Sequence, residues 1–275
     1  MDDFVDTLIT AIIEMIYEMG VKKEWLMFSN DGTAMATIKN VWNYLAIIGM
    51  CLTLIYFLIE MNQKLAIEGA QNMTMKSFMA PFLKLAIAVI ILHNGANITV
   101  SLLNVNNAFV TKAATGLSEG EEEWEKDDEM YETVHDEVKD LKLIAKCFAC
   151  LILLLAYIVS LVLSLVWMFK AVCYKLEVLY RVGITPVALA DVYSGQHSNA
   201  LKWLKGFIGL ALYAMAIILL PRLAMLVGTD MLVDGLSEGG GFWGVMRALF
   251  SLLIAPFAAL SVAGTIKQTC KEALG

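Results

Sequence analysis

The chain has 275 residues, of which 59% are hydrophobic and 17% are charged, and its formal net charge is −7. Globular proteins have roughly 45–50% apolar and about 25% charged residues, and the mean hydropathy here is +0.68. This composition excludes an ordinary soluble enzyme, a disordered protein and a fibrous protein. It predicts an all-α polytopic membrane protein whose apolar residues are gathered into spans.

The first predicted element is an amphipathic helix over residues 4–19, within an extracytoplasmic or interfacial region 1–40. Its apolar positions recur at helical spacing and are Phe4, Val5, Leu8, Ile12, Ile16 and Met19. Two glutamates prevent it from crossing a bilayer, so we expect it to lie at the interface or against partner helices. The acidic start of the chain predicts no cleavable signal peptide.

Five segments lack Asp, Glu, Lys and Arg and are long enough, or nearly so, to cross ~30 Å of hydrocarbon. They are Val41–Ile59, Leu85–Leu103, Cys147–Phe169, Gly206–Pro221 and Ala248–Ile266. The predicted organisation is therefore two spans in 41–103 with a cytoplasmic interfacial helix over 62–84, an acidic extracytoplasmic segment 104–146, and three spans in 147–275.

The second span continues into a polar stretch that is a candidate lining of an aqueous passage. Polar side chains in hydrocarbon favour bundle interiors or wet cavities. The alternative is a helix that simply leaves the membrane near Leu92. The candidate lining residues are His93, Asn94, Asn97 and Ser101.

Residues 118–142 hold twelve acidic residues and three lysines. Such charge runs are usually solvated and disordered, but this one carries an apolar stripe at helical spacing, which favours an acidic helix. The stripe consists of Trp124, Tyr131, Val134, Val138 and Leu141. Ser118-Glu119-Gly120-Glu121 has capping-box spacing and predicts that the helix begins there.

The distribution of positive charge predicts the orientation of the chain. Near the spans, the side that holds the N-terminus carries seven Lys and Arg residues, and the other side carries ten. Because positive residues favour the cytoplasmic side, we expect the N-terminus outside the cell membrane and the C-terminus in the cytoplasm.

The cytoplasmic segment 170–205 is the most patterned part of the chain. Thr185-Pro186 is a favourable helix start, with Thr as the cap and Pro at the first helical position, and Val187–Val192 reads as a short apolar helix. The candidate cytoplasmic entrance or partner contact consists of Lys175, Arg181, Lys202 and Lys205. The alternative is that these residues only enforce topology.

The fifth span carries a small residue at every fourth position. The ridge consists of Ser251, Ala255, Ala259 and Ala263. Small side chains let membrane helices approach closely, so this ridge is a candidate helix-packing interface, and we expect a homo-oligomer if the partner helix belongs to another subunit.

The chemical motifs found in the sequence are weak. Cys147-Phe148-Ala149-Cys150 has no second cysteine pair, and a structural metal site needs four ligands. The glycine run Gly235–Gly244 lacks the Lys-Ser/Thr of a phosphate-binding loop. We therefore predict no catalytic, cofactor-binding or metal-binding residues and no enzyme activity. The predicted spans contain no ionisable Asp, Glu, Lys or Arg, which argues against a self-sufficient ion-coupled transporter.

Residues 175–192, followed by Gly195 and Leu201-Lys202-Trp203-Leu204-Lys205, resemble the central region of the TrbL-type polytopic subunit of type IV secretion machines. That family has a similar order of a long span, a charged turn of helix, a Pro-containing apolar segment, a glycine-bearing turn and a Lys-rich start of the next span. Asn62–Asn97, with Pro81-Phe82-Leu83-Lys84, resembles the Gram-positive conjugative members.

The resemblance implies a non-enzymatic channel or scaffold subunit that helps to move DNA with its attached relaxase across the cytoplasmic membrane. It implies other secretion subunits as partners, including transfer ATPases that supply the energy, and only transient contact with the DNA and relaxase. It also implies the same five-span topology. The competing function is that of a small-solute transporter or channel.

Overall fold

A computed structural model of the chain describes residues 7, 10, 11, 22–29, 32–69, 74–121, 143–190, 199–238 and 242–273. The structure is about 95% helical, and the residues it describes form no strand, which confirms the all-α prediction for this part of the chain. In chain order the helices are α1 (Lys23–Leu26), α2 (Thr33–Glu68), α3 (Met75–His93), α4 (Gly95–Glu121), α5 (Leu143–Gly183), α6 (Thr185–Leu189), α7 (Asn199–Glu238) and α8 (Phe242–Ala273).

Four helices within these ranges are long and apolar enough to cross a membrane, as in a multi-pass membrane protein. They are Thr33–Glu68, Met75–His93, Ile144–Gly183 and Asn199–Gly228. The first, third and fourth predicted spans lie inside them. At about 1.5 Å per residue, the 36 residues of α2 measure about 54 Å, so this helix extends well beyond ~30 Å of hydrocarbon. The fifth predicted span lies inside α8.

The second predicted span, Leu85–Leu103, is corrected by the structure. The apolar helix α3 begins ten residues earlier and ends at His93, and α4 is a separate helix. The break is at Asn94, whose backbone N–H and side-chain amide both donate to the carbonyl of Ile90, at 3.1 and 2.9 Å. A charge such as Lys84 normally marks the end of a span, but here Lys84 lies within α3 and pairs with Glu60 of α2.

Two further predicted helices have different bounds. The interfacial helix predicted over 62–84 is divided between the end of α2 and the start of α3, because Gly69 ends α2 with a positive φ of 69°. The helix start predicted at Ser118 is not a start, since α4 runs continuously from Gly95 to Glu121. The remaining acidic helix, residues 122–142, and nearly all of the N-terminal helix lie outside the described residues.

The chain divides into two compact units. Unit A comprises Met1–Leu26, Phe109–Tyr174 and Leu212–Thr269, and unit B comprises Met27–Ala108, Lys175–Ala211 and Cys270–Gly275. Each unit has its own buried residues.

The core of unit B is built on one face of α2. The buried positions on this face recur at steps of seven, four, three and four residues, the spacing of a single helical stripe, and are Met35, Trp42, Ala46, Gly49 and Thr53. The helices α3 and α6 both pack against α2. Because Trp42 is followed on this face by the small residues Ala46, Gly49 and Thr53, the neighbouring helices can approach the α2 backbone closely.

The core of unit A is built on a similar stripe of α5. Its buried residues within the unit include four small and four large side chains and are Ala149, Leu153, Ala156, Ser160, Leu163, Trp167, Ala171 and Tyr174. Helix α7 contributes Tyr213, Ala214 and Ile217, and α8 contributes its small-residue ridge. The opposite faces of these helices carry exposed Leu, Ile, Val and Phe side chains, as expected of surfaces that meet lipid.

Candidate functional site

The helix break before α6 is buried inside unit B. Thr185 and Pro186 are buried, and a Cβ atom added to Gly49 of α2 would lie 2.7 Å from the Pro186 carbonyl oxygen. The same Cβ would lie 3.3 Å from the Leu92 side chain of α3. Only a glycine at position 49 therefore lets the backbone of α6 come this close to α2.

The polar backbone groups at this break are paired locally. The Ile184 N–H donates to the Tyr180 carbonyl at 3.1 Å, and the Thr185 hydroxyl donates to the Arg181 carbonyl at 3.1 Å. Ile184, and not Thr185, is the N-cap of α6, and it makes no side-chain cap bond. The sequence located this helix start correctly to within one residue, but Thr185 bonds backward to α5. Buried backbone N–H and carbonyl groups outside a regular helix require such pairing.

Arg181 connects the end of α5 to the start of α7. Its guanidinium lies 3.5 Å from the Glu177 carboxylate one turn earlier, and its carbonyl also accepts a 3.2 Å hydrogen bond from the Trp203 indole. The guanidinium occupies the space beside Gly206, where any Cβ would overlap it. Trp203 in turn stacks on Phe207, with ring centroids 5.6 Å apart. Arg181 is thus fixed by its ion pair with Glu177, by the hydrogen bond from Trp203 and by its packing beside Gly206.

The other three candidate entrance residues have different surroundings. Lys175 lies over the Phe28 ring, with its Nζ 5.6 Å from the ring centroid. Lys202 is exposed and Lys205 is half-buried on the helix that carries Trp203. The structure therefore brings Arg181 to the base of α7 that carries both lysines, and it holds Lys175 against a segment near the N-terminus of the chain.

The candidate lining residues lie on the exposed surface around the α3–α4 break. His93, Asn94, Asn97 and Ser101 are all exposed. The opposite face of α4 is buried and includes Gly95, Thr99 and Leu103. Helix α4 is therefore amphipathic, with an exposed polar row that has the character expected of a surface in contact with water.

Asn107 makes a long-range structural contact that its place in the sequence does not predict. Its side-chain oxygen accepts from the Phe28 N–H and its side-chain nitrogen donates to the Phe28 carbonyl, both at 2.9 Å. One amide side chain therefore satisfies both backbone groups of a residue 79 positions earlier, and it fixes the segment after α1 to α4. A single Asn in a polar stretch carries no sequence signal for this contact.

A charged network fastens α2 to α3 and was also missed. Lys84 of α3 donates to the Glu60 carboxylate of α2 at 2.8 Å, and Lys64 lies 3.7 Å from the same oxygen. Lys64 also donates to the Ser77 carbonyl at 3.1 Å, and the Ser77 hydroxyl donates to Glu68 at 2.7 Å. The two helices are thus joined by ion pairs and hydrogen bonds at one end of the hairpin.

The predicted helix-packing ridge of α8 is buried within the chain. Ser251 donates to the Gly228 carbonyl of α7 at 3.2 Å, and a Cβ added to Gly228 would lie 2.9 Å from the Ala255 methyl group. Ala259 and Ala263 are also buried, at 4% and 0% exposure. The partner helix that the structure gives Ser251 and Ala255 is α7 of the same chain.

The described residues contain no group of three or more His, Cys, Asp or Glu side chains that could hold a metal ion. No protein-family model matches the chain, and no curated protein or solved structure is significantly similar to it.

Proposed function

We propose that this chain is a channel or scaffold subunit of a conjugative type IV secretion machine, in which it helps DNA with its attached relaxase to cross the cytoplasmic membrane. It acts together with other secretion subunits, and partner ATPases supply the energy. The proposed topology has five spans, with an N-terminal amphipathic helix and an acidic helix outside and the C-terminus in the cytoplasm.

The observation that carries this proposal is the buried break between α5 and α7. The segment around Thr185-Pro186 is seated against the apolar helices α2 and α3, and it is followed by the Lys-rich start of α7. This order of elements is the one that resembles the TrbL-type subunits. A buried short segment followed by the exposed Lys202 and the half-buried Lys205 is suited to a docking surface for phosphate groups or for acidic partner proteins.

The proposed role of the basic residues predicts a selective transfer defect. In the native host, the double variant Lys202→Gln/Lys205→Gln should lower conjugal DNA transfer by about tenfold, equivalent to ~1.4 kcal/mol of lost attraction. The matched control, Lys39→Gln/Lys112→Gln, removes the same charge from the side predicted to be extracytoplasmic and should transfer normally.

Orientation is checked separately from transfer. In a cysteine-free background, Glu125→Cys should react with an impermeant thiol reagent in intact cells, and Gln196→Cys should not. If Lys202→Gln/Lys205→Gln transfers DNA normally, or loses transfer only when this labelling pattern inverts, the lysines are topology signals and the entrance proposal is wrong.

The second candidate function is that of a small-solute transporter or channel. The observation in its favour is the exposed polar row of α4, which includes Asn97 and Ser101. Reconstituted protein that conducts small solutes, together with a deletion strain that still transfers DNA, would favour this function over the first.

A further inference from the structure

Two lysines of unit A lie over aromatic rings of one cluster. The Nζ of Lys170 is 5.9 Å from the centroid of the Trp167 ring, and the Nζ of Lys267 is 5.7 Å from the centroid of the Tyr213 ring. Tyr174 follows Lys170 by one helical turn, and its ring centroid lies 6.4 Å from that of Tyr213. These five residues form what we call the Lys170–Lys267 cluster.

The cluster lies where two apolar segments end. Lys170 is the first charged residue after Cys147–Phe169, and Lys267 is the first after Ala248–Ile266. In the predicted topology, both ammonium groups therefore lie at the boundary between hydrocarbon and lipid headgroups. Trp and Tyr are enriched at this level of a bilayer, where an apolar ring meets a polar layer. The position of the cluster favours a ligand that belongs to the membrane.

The chemistry of the cluster favours an anion. The charges of Lys170 and Lys267 act on each other, and like charges held close together are unfavourable. The aromatic faces offset part of this repulsion, because a cation over a ring gains about 0.5–2 kcal/mol. The Trp167 indole nitrogen is buried and has no hydrogen-bond partner within the described residues. A buried donor without an acceptor is itself costly.

We propose that the Lys170–Lys267 cluster binds the phosphate of an anionic phospholipid. A phosphodiester carries one negative charge shared by two non-bridging oxygens, so one group can accept hydrogen bonds from both ammonium groups. Charge-assisted bonds of this kind are about twice as strong as neutral ones. Inorganic phosphate offers the same oxygens, but it lacks the acyl chains that would lie along the exposed apolar faces of α5 and α8. This proposal is independent of what the assembly transports.

The test uses the full-length protein in a neutral detergent and measures the thermal unfolding midpoint. Added phosphatidylglycerol should raise the midpoint by about 2–4 °C, whereas phosphatidylcholine and inorganic phosphate should not. Lys170→Gln/Lys267→Gln should lose this response relative to its own lipid-free midpoint, and Lys170→Arg/Lys267→Arg should keep it. Native mass spectrometry should show the corresponding loss of bound lipid.

The matched control is Lys23→Gln/Lys76→Gln, which removes the same charge from two exposed lysines and should respond as the wild type does. An equal response in Lys170→Gln/Lys267→Gln, or no response in the wild type, would overturn the proposal. An equal shift with phosphatidylcholine would show that charge is not recognised. A shift produced by inorganic phosphate alone would identify a free-phosphate site and reject the lipid.

Discussion

Units A and B both use glycine to bring helices together, but the glycines face different partners. In unit B, Gly95 lies against the buried Trp42 indole, and Gly49 lies against the backbone at Pro186. In unit A, Gly228 faces the methyl group of Ala255. These two unit B contacts place a glycine against a ring or a backbone that has little freedom to move. The unit A contact instead places a glycine against the small side chain of an alanine.

This difference indicates what each glycine does. A glycine opposite a large ring or a proline backbone leaves a space, here called a socket, that only this ring or backbone fills. It therefore fixes the position of one helix along the other. A glycine opposite alanine only shortens the distance between two helices, and a small change in spacing can compensate for an added methyl group. Gly49 and Gly95 of unit B should therefore respond differently from Gly228 of unit A to the same substitution, glycine to alanine.

The largest effect is expected from Gly95→Ala. The new methyl group would overlap the Trp42 ring, which is 1% exposed, and overpacking of this kind costs about 1–3 kcal/mol, here toward the upper end. The measurement is thermal unfolding in detergent. Gly116→Ala in the same helix is the matched control, because nothing lies within 4 Å of it, and it should be neutral or stabilising by up to ~1 kcal/mol.

Gly49→Ala is expected to have an intermediate effect. Its methyl group would lie 2.7 Å from the Pro186 carbonyl oxygen, so α6 must shift, at about 1–2 kcal/mol. Limited proteolysis near residues 184–190 should become faster. Gly264→Ala, which meets open space, should leave that rate unchanged. Equal cleavage rates in the two variants would show that Gly49 is not a socket for α6.

The smallest effect is expected from Gly228→Ala in unit A. The added methyl group would lie 2.9 Å from the Ala255 methyl group, and a slight separation of α7 and α8 relieves it, so we expect about 1 kcal/mol or less. Ala255→Gly in the same chain should restore stability in a double-mutant cycle. Failure of this rescue would show that the two residues do not contact each other and would remove the contrast between the units.

The apolar helices could be predicted from the sequence, whereas the contacts between them could not. Runs without charge identify three of the four apolar helices, because the cost of burying charge acts on each segment separately. Gly95 and Trp42 lie 53 positions apart in the sequence and on different helices. Their contact depends on how these two helices are aligned, and no local sequence pattern encodes that alignment. The Asn107 contact with Phe28 has the same origin.

For the candidate sites, the sequence identified the residues but not the groups that they contact. The ridge Ser251, Ala255, Ala259 and Ala263 was visible as a four-residue period, but its partner could not be read from α8 alone. Arg181 was selected for its charge, whereas the structure also gives it a packing role beside Gly206. Lys84 was interpreted as the boundary of a span because the sequence does not show that Glu60 neutralises it.

The pairing of Lys84 with Glu60 has a consequence for biosynthesis. Helix α3 carries Lys84 at its tenth residue, and a lone lysine near the centre of a span costs about 2.5–3.5 kcal/mol during insertion by the translocon. Glu60 is synthesised 24 residues earlier, on the preceding helix. If α2 is still beside the lateral gate when α3 emerges, the carboxylate can neutralise the ammonium before it meets lipid. The two helices would then leave the translocon as a pair.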